Sequence, residues 1–216
     1  MTRPSVAVLI GVRDWPGDRL ELALAAHRAS ELGDTLEIVI ADCGSSAPLA
    51  LHDLAARFDA RVVRVDSPVW NRSLAINAAA SAAASDILIA SDADFLFSPA
   101  THRICRDRLE QHPRSIQVVQ TSDLPRDLDP ERLTALDWET FLAHAAFRPR
   151  WGMGFIAFRR ELFTRVRGYE ERMCVWGCED NDFARRAREA GFALHWVTEP
   201  AARIFHIWHP PFLQTH

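Results

Sequence analysis

Two acidic residues, Asp92 and Asp94, directly follow an apolar run in the middle of the chain. The run, residues 87–91, is apolar on both faces, which is typical of a buried parallel strand. In open α/β sheets, ligands bind at the edge formed by the carboxyl ends of the strands. Two carboxylates at such an edge suit Mg²⁺ or Mn²⁺ that holds a phosphate group. The alternative is a polar strand end followed by an ordinary turn.

Two histidines near the end of the chain are candidates for further metal ligands. His206 and His209 are three residues apart, and two prolines follow them. On a regular strand the two imidazoles would face opposite sides, so both can bind one metal only if the strand ends near Ile207. The prolines favour such an early end. Imidazole ligands shift the preference from Mg²⁺ toward Mn²⁺. Otherwise His206 is a solvated residue of a strand.

A second acidic cluster, residues 179–182, opens a predicted helix. A helix N-terminus stabilises carboxylates, so capping explains one or two of its acids. Capping does not explain the preceding Trp176 and Gly177, which combine a large aromatic side chain with a small, flexible turn. Sugars stack on such aromatic side chains.

The elements that must position these residues alternate between strand and helix in the first half of the chain. The predicted strands are residues 5–11, 36–41, 61–65, 87–91 and 116–121, and the predicted helices are residues 18–32, 50–58, 72–84 and 101–111. Gly33 is predicted to end the first helix as its C′ residue. This alternation favours a parallel sheet with covering helices. Right-handed crossovers place the strand ends on one edge, where Arg13, Asp42, Asp92 and Asp94 should converge.

The second half of the chain is predicted to be less regular. We expect a loop at residues 124–130, a helix at 131–146, a loop and short strand at 148–158, helices at 160–166 and 180–190, and short strands at 192–197 and 203–207. The chain as a whole, residues 1–216, is expected to form a single domain. Its nucleotide-binding half would be residues 1–122, and its acceptor and metal half residues 123–216.

Composition limits the class of protein. The chain has 216 residues, of which 48% are hydrophobic, enough to bury one sizeable core. Its formal net charge is −4, which does not suggest a nucleic-acid-binding surface. The four cysteines lack the spacing of a zinc ribbon, and we expect them to be reduced thiols. They are Cys43, Cys105, Cys174 and Cys178.

Together and in this order, the motifs resemble the nucleotide-sugar glycosyltransferases of the GT-A fold. The likeness is greatest to the inverting families around family 2 and the β-1,4-galactosyltransferase type, family 7. Asp-x-Asp at residues 92–94, Trp-Gly-x-Glu-Asp at residues 176–180 and the late histidines carry the resemblance, supported by residues 6–14, 38–46 and 71–77. It spans about residues 5–211. The resemblance implies an α/β fold with a mostly parallel twisted sheet, flanking helices and a small α+β second half on the acceptor side.

The resemblance also implies roles for individual residues. The metal ligands would be Asp94, His206 and His209. Asp180 would be the general base, and Glu179 would bond donor or acceptor hydroxyls. The acceptor would meet Trp176 and Gly177. Nucleotide and donor contacts would come from Arg13, Asp42, Gly44, Arg72, Asn77, Asp92, Ala93, Gly152 and Gly154. Arg72 and Asn77 have an alternative as surface residues of a helix, and residues 152–154 as an ordinary turn.

The function implied by the resemblance is a metal-dependent, inverting transfer of a sugar from a nucleotide diphosphate donor, most simply a UDP-sugar, to a hydroxyl group. Mn²⁺ or Mg²⁺ would be the cofactor, and a saccharide or small hydroxyl compound the acceptor. One alternative is a nucleotidyltransferase. Residues 11–17 match the glycine-rich loop of such enzymes only poorly. Another is a non-catalytic module that binds nucleotide sugars, against which the intact Asp94, Asp180 and His209 argue. No secretory signal or membrane span is evident in the sequence, so we expect a bacterial-type cytoplasmic enzyme with at most peripheral membrane contact.

Overall fold

A computed structural model describes residues 6–147, 154–175 and 177–210. Its strands are β1 (Val6–Val12), β2 (Glu37–Cys43), β3 (Arg61–Val65), β4 (Ile87–Ser91), β5 (Phe95–Phe97), β6 (Ser115–Val119), β7 (Thr121–Asp123), β8 (Ala146–Phe147), β9 (Ile156–Arg159), β10 (Ala193–Val197) and β11 (Ile204–His206). Its α-helices are α1 (Gly17–Arg28), α2 (Pro48–Arg57), α3 (Arg72–Ala82), α4 (Thr101–Gln111), α5 (Pro130–Thr134), α6 (Trp138–His144), α7 (Arg160–Val166) and α8 (Glu179–Glu189). Among these described residues, no helix combines the length and the hydrophobicity needed to cross a membrane.

The central sheet has seven strands in the order β10-β6-β9-β4-β1-β2-β3. Neighbouring strands run parallel, except that β9 lies antiparallel between β4 and β6. The predicted mostly parallel α/β sheet is therefore confirmed. Because β1, β2 and β4 are parallel neighbours, their carboxyl ends lie side by side on one edge.

Helices cover both faces of this sheet, which explains why β1 and β4 are apolar on both sides. Successive residues of β1 point to opposite layers: Ile10 packs with α1, α2 and α4, whereas Leu9 packs with α3, α7 and α8. The approach of α3 is close at the end of β1. A Cβ on Gly11 would lie 2.9 Å from that of Ala75 and 3.0 Å from the Trp70 ring. Glycine at position 11 thus lets helix and indole lie against the strand.

A second sheet, in the order β5-β11-β7-β8, combines strands from both halves of the chain. Strand β11 pairs antiparallel with β5 and parallel with β7, so His206 lies opposite Phe95 on one side and Asp123 on the other. The short β5, which the sequence pattern did not predict, begins one residue after Asp94. This sheet therefore brings the end of the chain to the Asp-x-Asp segment. A division after residue 122 does not separate the two sheets.

The first helix ends earlier than predicted. Helix α1 stops at Arg28, and Gly33 opens a short 3₁₀ turn instead of following the helix as its C′ residue. The Ser30 hydroxyl donates to the carbonyl of His27, a local bond that competes with helix continuation. The Arg28 guanidinium reaches forward to the carbonyl oxygens of Gly33 and Leu36, which replaces the contacts of a further helical turn.

The predicted helix at residues 131–146 is also wrong. It is two short helices, α5 and α6, separated by Leu136 in a left-handed conformation with φ of 50°. The Asp137 side chain then accepts a bond from the amide of Thr140 and begins α6. A side-chain cap of this kind satisfies a helix N-terminus, so a helix starts anew where the apolar spacing had suggested continuity.

Two buried histidines meet between α1 and α4. His27 Nδ1 lies 3.0 Å from His102 Nε2, and the His27 ring stacks on Phe97 with its centroid 4.6 Å away. Burial lowers the pKa of His27 well below its usual value, and His102 lowers it further. Burial also lowers the pKa of His102, to about 3. The folded protein therefore holds both rings neutral.

We expect this pair to make stability depend on acidity. The unfolded chain binds protons that the folded pair rejects, so the free energy of unfolding should fall as the pH drops from about 6.5 toward 3. Each unit of pKa displacement corresponds to about 1.4 kcal/mol. The double variant His27→Leu/His102→Leu should lose part of this pH dependence, measured by urea unfolding between pH 7 and pH 4. His52→Leu, an exposed position on α2, should retain it. Equal pH slopes in the double variant and the parent would contradict the assignment.

Candidate functional site

A cavity of about 800 Å³ opens where the strands of the central sheet end. The segments after β1 and β4, the segments before α3 and α8, and the segment after β11 contribute to its wall. Eleven of the sequence-predicted site residues line it: Arg13, Arg72, Asp92, Ala93, Asp94, Gly154, Gly177, Glu179, Asp180, His206 and His209. The fold thus collects into one cavity residues that lie as far apart in the sequence as β1 and β11.

Asp94, His206 and His209 form a group that could hold a metal ion. Asp94 Oδ2 lies 3.1 Å from His209 Nε2 and 3.4 Å from His206 Nε2. One ligand atom from each residue lies within 4.8 Å of the others. Strand β11 ends at His206, so the following residues leave the strand geometry and His209 turns to the same carboxylate. One carboxylate and two imidazoles make a donor set that fits Mn²⁺.

Outer hydrogen bonds orient both imidazoles toward Asp94. His206 Nδ1 lies 2.9 Å from Asp123 Oδ1, and His209 Nδ1 lies 2.7 Å from the carbonyl oxygen of Pro210. Both partner oxygens accept here, so each Nδ1 carries the proton and each Nε2 faces the shared centre. Such outer partners fix the tautomer of metal-binding histidines. The sequence analysis did not identify Asp123. The only signal for this residue was an acid at the end of a strand.

The charges of this group are strongly coupled. Burial alone would raise the pKa of Asp94, but the hydrogen bonds and charges of His206 and His209 outweigh burial and lower it to about 2. Burial opposes protonation of His206, yet Asp94 and Asp123 raise its pKa to about 9. Asp94 is therefore anionic throughout the physiological range, as a ligand for a hard cation must be.

Arg72 joins three acids from two segments of the chain. It is the first residue of α3, whose N-cap Asn71 accepts a bond from the amide of Leu74. Its guanidinium lies 2.8 Å from Asp92 and 2.7 Å from Asp180. It also lies 3.4 Å from Glu179 and donates to the carbonyl of Gly154 at 3.0 Å. Contact between Arg72 and a diphosphate remains a prediction.

Asp180 has an environment that differs from the expectation for a helix N-terminus. Its side chain is only 15% exposed. Burial raises its pKa to about 7; the Arg72 guanidinium opposes this rise, and Glu179 and Asp92 add to it. The helix N-terminus alone predicted a fully ionised carboxylate near neutral pH. Burial outweighs that effect, so Asp180 exchanges its proton near neutrality, where a general base works best.

Sequence comparison decides the family. A family model described as "Glycosyl transferase family 2" matches residues 17–167, well over half of the chain. The chain belongs to glycosyl transferase family 2. A second model, described as the N-terminal domain of galactosyltransferase, matches residues 139–210, which include α8, His206 and His209. The predicted glycosyltransferase family is thus confirmed. No curated protein matches the sequence of this family 2 member.

Solved structures show the same GT-A fold. The structure of GalNAc-T7 with UDP, GalNAc and Mn²⁺ has a TM-score of 0.72 and 15% sequence identity, covering 96% of this family 2 chain and 44% of its own. The structure of S. aureus TarS 1-349 in complex with UDP-GlcNAc has a TM-score of 0.71 and 12% sequence identity, covering 96% of this chain and 59% of its own. The chain therefore spans about half the length of these relatives.

Three of the predicted nucleotide contacts of this glycosyltransferase family member hold the fold together. Arg13 donates to backbone carbonyls, including that of Ser67 at 2.7 Å, although it also lines the cavity. Asp42 is buried, pairs with Arg64 at 2.5 Å and does not line the cavity. Gly44, with φ of 77°, leaves room for the Ser67 carbonyl, 2.7 Å from where a Cβ would stand. Base recognition by Asp42 and Gly44 remains a prediction.

Asn77 does not line the cavity of this family 2 chain. Its side-chain amide accepts a bond from the Tyr169 amide, donates to the Tyr169 carbonyl and donates to Glu171. These bonds tie α3 to the segment before α8, and a contact of Asn77 with the nucleotide remains a prediction. The predicted contacts Gly152 and Trp176 lie outside the described residues.

Two tryptophans at the cavity were not identified from the sequence. The Trp15 ring meets His209 edge-on with centroids 5.9 Å apart, and Trp70 lies over Gly11 at the end of β1. Trp15 follows β1 in a Trp-Pro-Gly turn, and Trp70 precedes α3. Both positions are loops at the ligand-binding edge of the sheet, and that location was the available signal.

Substitution of Gly154 by alanine tests how tightly the site is packed. A Cβ at this position would collide with Asp92 Oδ2 and lie 2.9 Å from the Phe95 ring. We expect Gly154→Ala to lower the free energy of unfolding by about 1–3 kcal/mol through overpacking, measured by urea unfolding. Gly17→Ala is the matched control, because nothing lies within 4 Å of its Cβ position. Equal stability of the two variants would contradict this packing.

Proposed function

We propose that this family 2 chain is a metal-dependent, inverting glycosyltransferase that moves a sugar from a UDP-sugar to a hydroxyl acceptor. The observation that carries the proposal is one cavity holding both a carboxylate–imidazole group and a buried acid of suitable pKa. Asp94, His206 and His209 form the first, and Asp180 is the second. Both line the same space of about 800 Å³, large enough for a nucleotide sugar.

The choice of donor draws on the structural relatives. GalNAc-T7 was solved with UDP, GalNAc and Mn²⁺, and TarS with UDP-GlcNAc. The shared fold supports a UDP-sugar as donor and Mn²⁺ as the preferred cation. We therefore assign the metal to Asp94, His206 and His209, whose outer partners Asp123 and Pro210 already orient the imidazoles. When bound, the metal would neutralise the negative charge that develops on the diphosphate leaving group.

The residues of the chain account for the remaining chemistry. The acceptor oxygen attacks the anomeric carbon from the side opposite the diphosphate, so a new C–O bond forms as the bond to the UDP oxygen breaks. UDP leaves with that electron pair, and Asp180 takes the acceptor's proton. Arg72 holds Asp180 and Asp92 in place through bonds of 2.7 Å and 2.8 Å. A single attack of this kind inverts the anomeric configuration.

Two alternatives make different predictions. A non-catalytic nucleotide-sugar-binding module would bind UDP with metal but release no UDP from a UDP-sugar. A nucleotidyltransferase would use a glycine-rich loop after β1 to hold phosphates. In this chain Gly11 is packed beneath Trp70 and Ala75, and the Asp14 side chain holds the backbone of Ser46, so that loop is already occupied by contacts within the protein.

Substitution of Asp94 tests the metal site. Asp94→Asn should abolish the Mn²⁺-dependent rise in melting temperature produced by UDP, because stabilisation follows ligand affinity. His209→Ala and His206→Ala should weaken it, and Asp123→Asn should lower Mn²⁺ affinity about 10–100-fold. His52→Ala, exposed on α2, should behave like the parent. Unchanged metal-dependent stabilisation by UDP in Asp94→Asn would refute the assignment.

Substitution of Asp180 tests the base. Asp180→Asn should lower kcat by about 10²–10⁴ while UDP and Mn²⁺ still bind. With saturating Mn²⁺, the parent's kcat/KM should rise with pH up to about 7, the pKa to which burial raises Asp180, and then level off, because only the ionised form accepts a proton. The variant should lose this dependence. UDP release and the anomeric configuration of the product are the measurements.

Asp182→Asn is the matched control for the base. Asp182 lies two residues farther along α8, where Arg185 and Arg186 bind its carboxylate, and it does not line the cavity. The kcat of the Asp182→Asn variant should stay close to that of the parent. Two results would contradict the assignment of Asp180: near-parental turnover in Asp180→Asn, or a product that retains the donor's configuration.

A further inference from the structure

The chain has a single tyrosine, Tyr169, and it is buried in the segment that leads into α8. The residue is only 2% exposed, and no group among the described residues forms a hydrogen bond with its hydroxyl. A buried hydroxyl without a partner has given up its bonds to water and gained none in return. Such a group in a folded protein requires a specific explanation.

The backbone of Tyr169 is fixed to α3. The side chain of Asn77 accepts a bond from the Tyr169 amide at 2.8 Å and donates to its carbonyl at 2.9 Å. The side chain of Asn71, the residue before Arg72, donates to the carbonyl of Glu171 at 2.8 Å. The segment therefore runs along α3 toward the N-terminus of that helix, and Tyr169 cannot slide along it.

The ring of Tyr169 is fixed to α8. It stacks on the ring of Phe183, with centroids 4.3 Å apart and an angle of 6° between the planes. Phe183 follows Asp180 by three residues and Glu179 by four, so these side chains are neighbours on one face of the helix. Side chains of a helix lean toward its N-terminus. The stacked rings therefore lie beside the turn that carries the two acids.

Tyr169 thus joins the same two helices as the ion pair of the proposed base. Arg72 of α3 binds Asp180 of α8 at 2.7 Å. About one helical turn farther in, Tyr169 bridges α3 and α8 through its contacts with Asn77 and Phe183. The tyrosine lies next to the ion pair and on the inner side of it, because its hydroxyl is buried.

The hydroxyl interacts with the charges of this region. Burial raises the pKa of Tyr169 well above its usual value, and Asp180 raises it further; Glu179 and Asp92 act in the same direction, and Arg72 opposes them. Tyr169 is therefore a neutral O–H donor at every working pH. Arg72 from α3, Glu179 on α8 and Asp92 after β4 are also the charged groups that face Asp180.

An additional donor would meet a need of the ionised base. Three carboxyl groups, those of Asp92, Glu179 and Asp180, share the guanidinium of Arg72. When Asp180 loses its proton, this single cation must compensate a further negative charge. A hydrogen bond to the ionised form of an acid favours that form. A neutral hydroxyl supplies such a bond without adding a second cation to the site.

We propose that Tyr169 is a positioning residue for the base: its hydroxyl donates a hydrogen bond to the ionised carboxylate of Asp180 and holds it ready for the acceptor's proton. This inference rests on the proposed function, in which Asp180 is the base. The bond forms as the proton leaves Asp180, because an ionised carboxylate is a stronger acceptor than a neutral one. Tyr169 itself touches no substrate.

Direct titration of Asp180 tests the inference without an acceptor. Tyr169→Phe removes the hydroxyl and keeps the stacked ring. In protein labelled with ¹³C at the aspartate carboxyl groups and kept in Mg²⁺, which is diamagnetic, NMR follows each acid with pH. The signal lost in Asp180→Asn identifies the base. Tyr169→Phe should raise the pKa of Asp180 by about 1, because the bond removed is one to a charged group.

The pH dependence of turnover gives a second measurement. With Mn²⁺ and UDP-GlcNAc, and with water as the acceptor, kcat/KM for UDP release should be about tenfold lower in Tyr169→Phe than in the parent at pH 6. At pH 8.5 the deficit should be less than about twofold, because Asp180 is then largely ionised in both proteins. A purely structural role of the hydroxyl would lower kcat/KM by the same factor at both pH values.

Thr121→Val is the matched control. The Thr121 hydroxyl is also buried and, within the described part of the chain, has no hydrogen-bond partner. It lies on β7, and Thr121 does not line the cavity. Valine has nearly the same shape, so this variant also loses only a hydroxyl. It should keep the parent's pKa of Asp180 and the parent's pH profile.

The outcomes separate this inference from the proposed function. If Asp180→Asn loses turnover but the pKa of Asp180 in Tyr169→Phe equals or falls below that of the parent, the role of Tyr169 is wrong and the base assignment stands. An equal loss of kcat/KM at pH 6 and pH 8.5 would also overturn the inference. If Asp180→Asn keeps near-parental turnover, the proposed base fails, and the inference fails with it.

Discussion

The site depends on the backbone pairing between β5 and β11. Strand β5 starts one residue after Asp94, and β11 ends at His206. Their antiparallel ladder continues in a bond from the amide of Ile207 to the carbonyl of Asp94 at 3.0 Å. This pairing joins residues more than a hundred positions apart with the precision of a hydrogen-bonded register. The parallel strand β7 adds Asp123 on the other side of His206, so one small sheet supplies a proposed metal ligand and the partner that orients it.

A second constraint is the distribution of charge around Arg72. One guanidinium is shared by Asp92, Asp180 and Glu179, and breaking such a buried group by removing one partner leaves uncompensated charge. Sharing also leaves each acid only partly compensated, which is why burial can raise the pKa of Asp180 to about 7. In the neighbouring group, two imidazoles face Asp94, and its pKa falls to about 2. One cavity thus holds an acid that is anionic at neutral pH, Asp94, and an acid that titrates near neutrality, Asp180.

Hydrophobic periodicity and end signals were sufficient for most elements of the chain. The bounds of β3, β4, α4 and α7 agree with the sequence prediction, because each has a clear apolar run or face and a clear end. The prediction failed where local polar bonds decide the outcome: Ser30 and Arg28 end α1 early, and Asp137 begins a new helix. Strand β5 has three residues, too few to show a period.

The sequence by itself determined the family, the order of the motifs and the residue types able to bind a metal or accept a proton, since these depend on local chemistry and on spacing along the chain. Only the tertiary structure decided which of them meet. It placed His206 and His209 on Asp94, bonded Asn77 to Tyr169 and added Asp123. Burial likewise decided the pKa of Asp180, because the loss of water around a carboxylate comes from segments distant in sequence, which no local pattern contains.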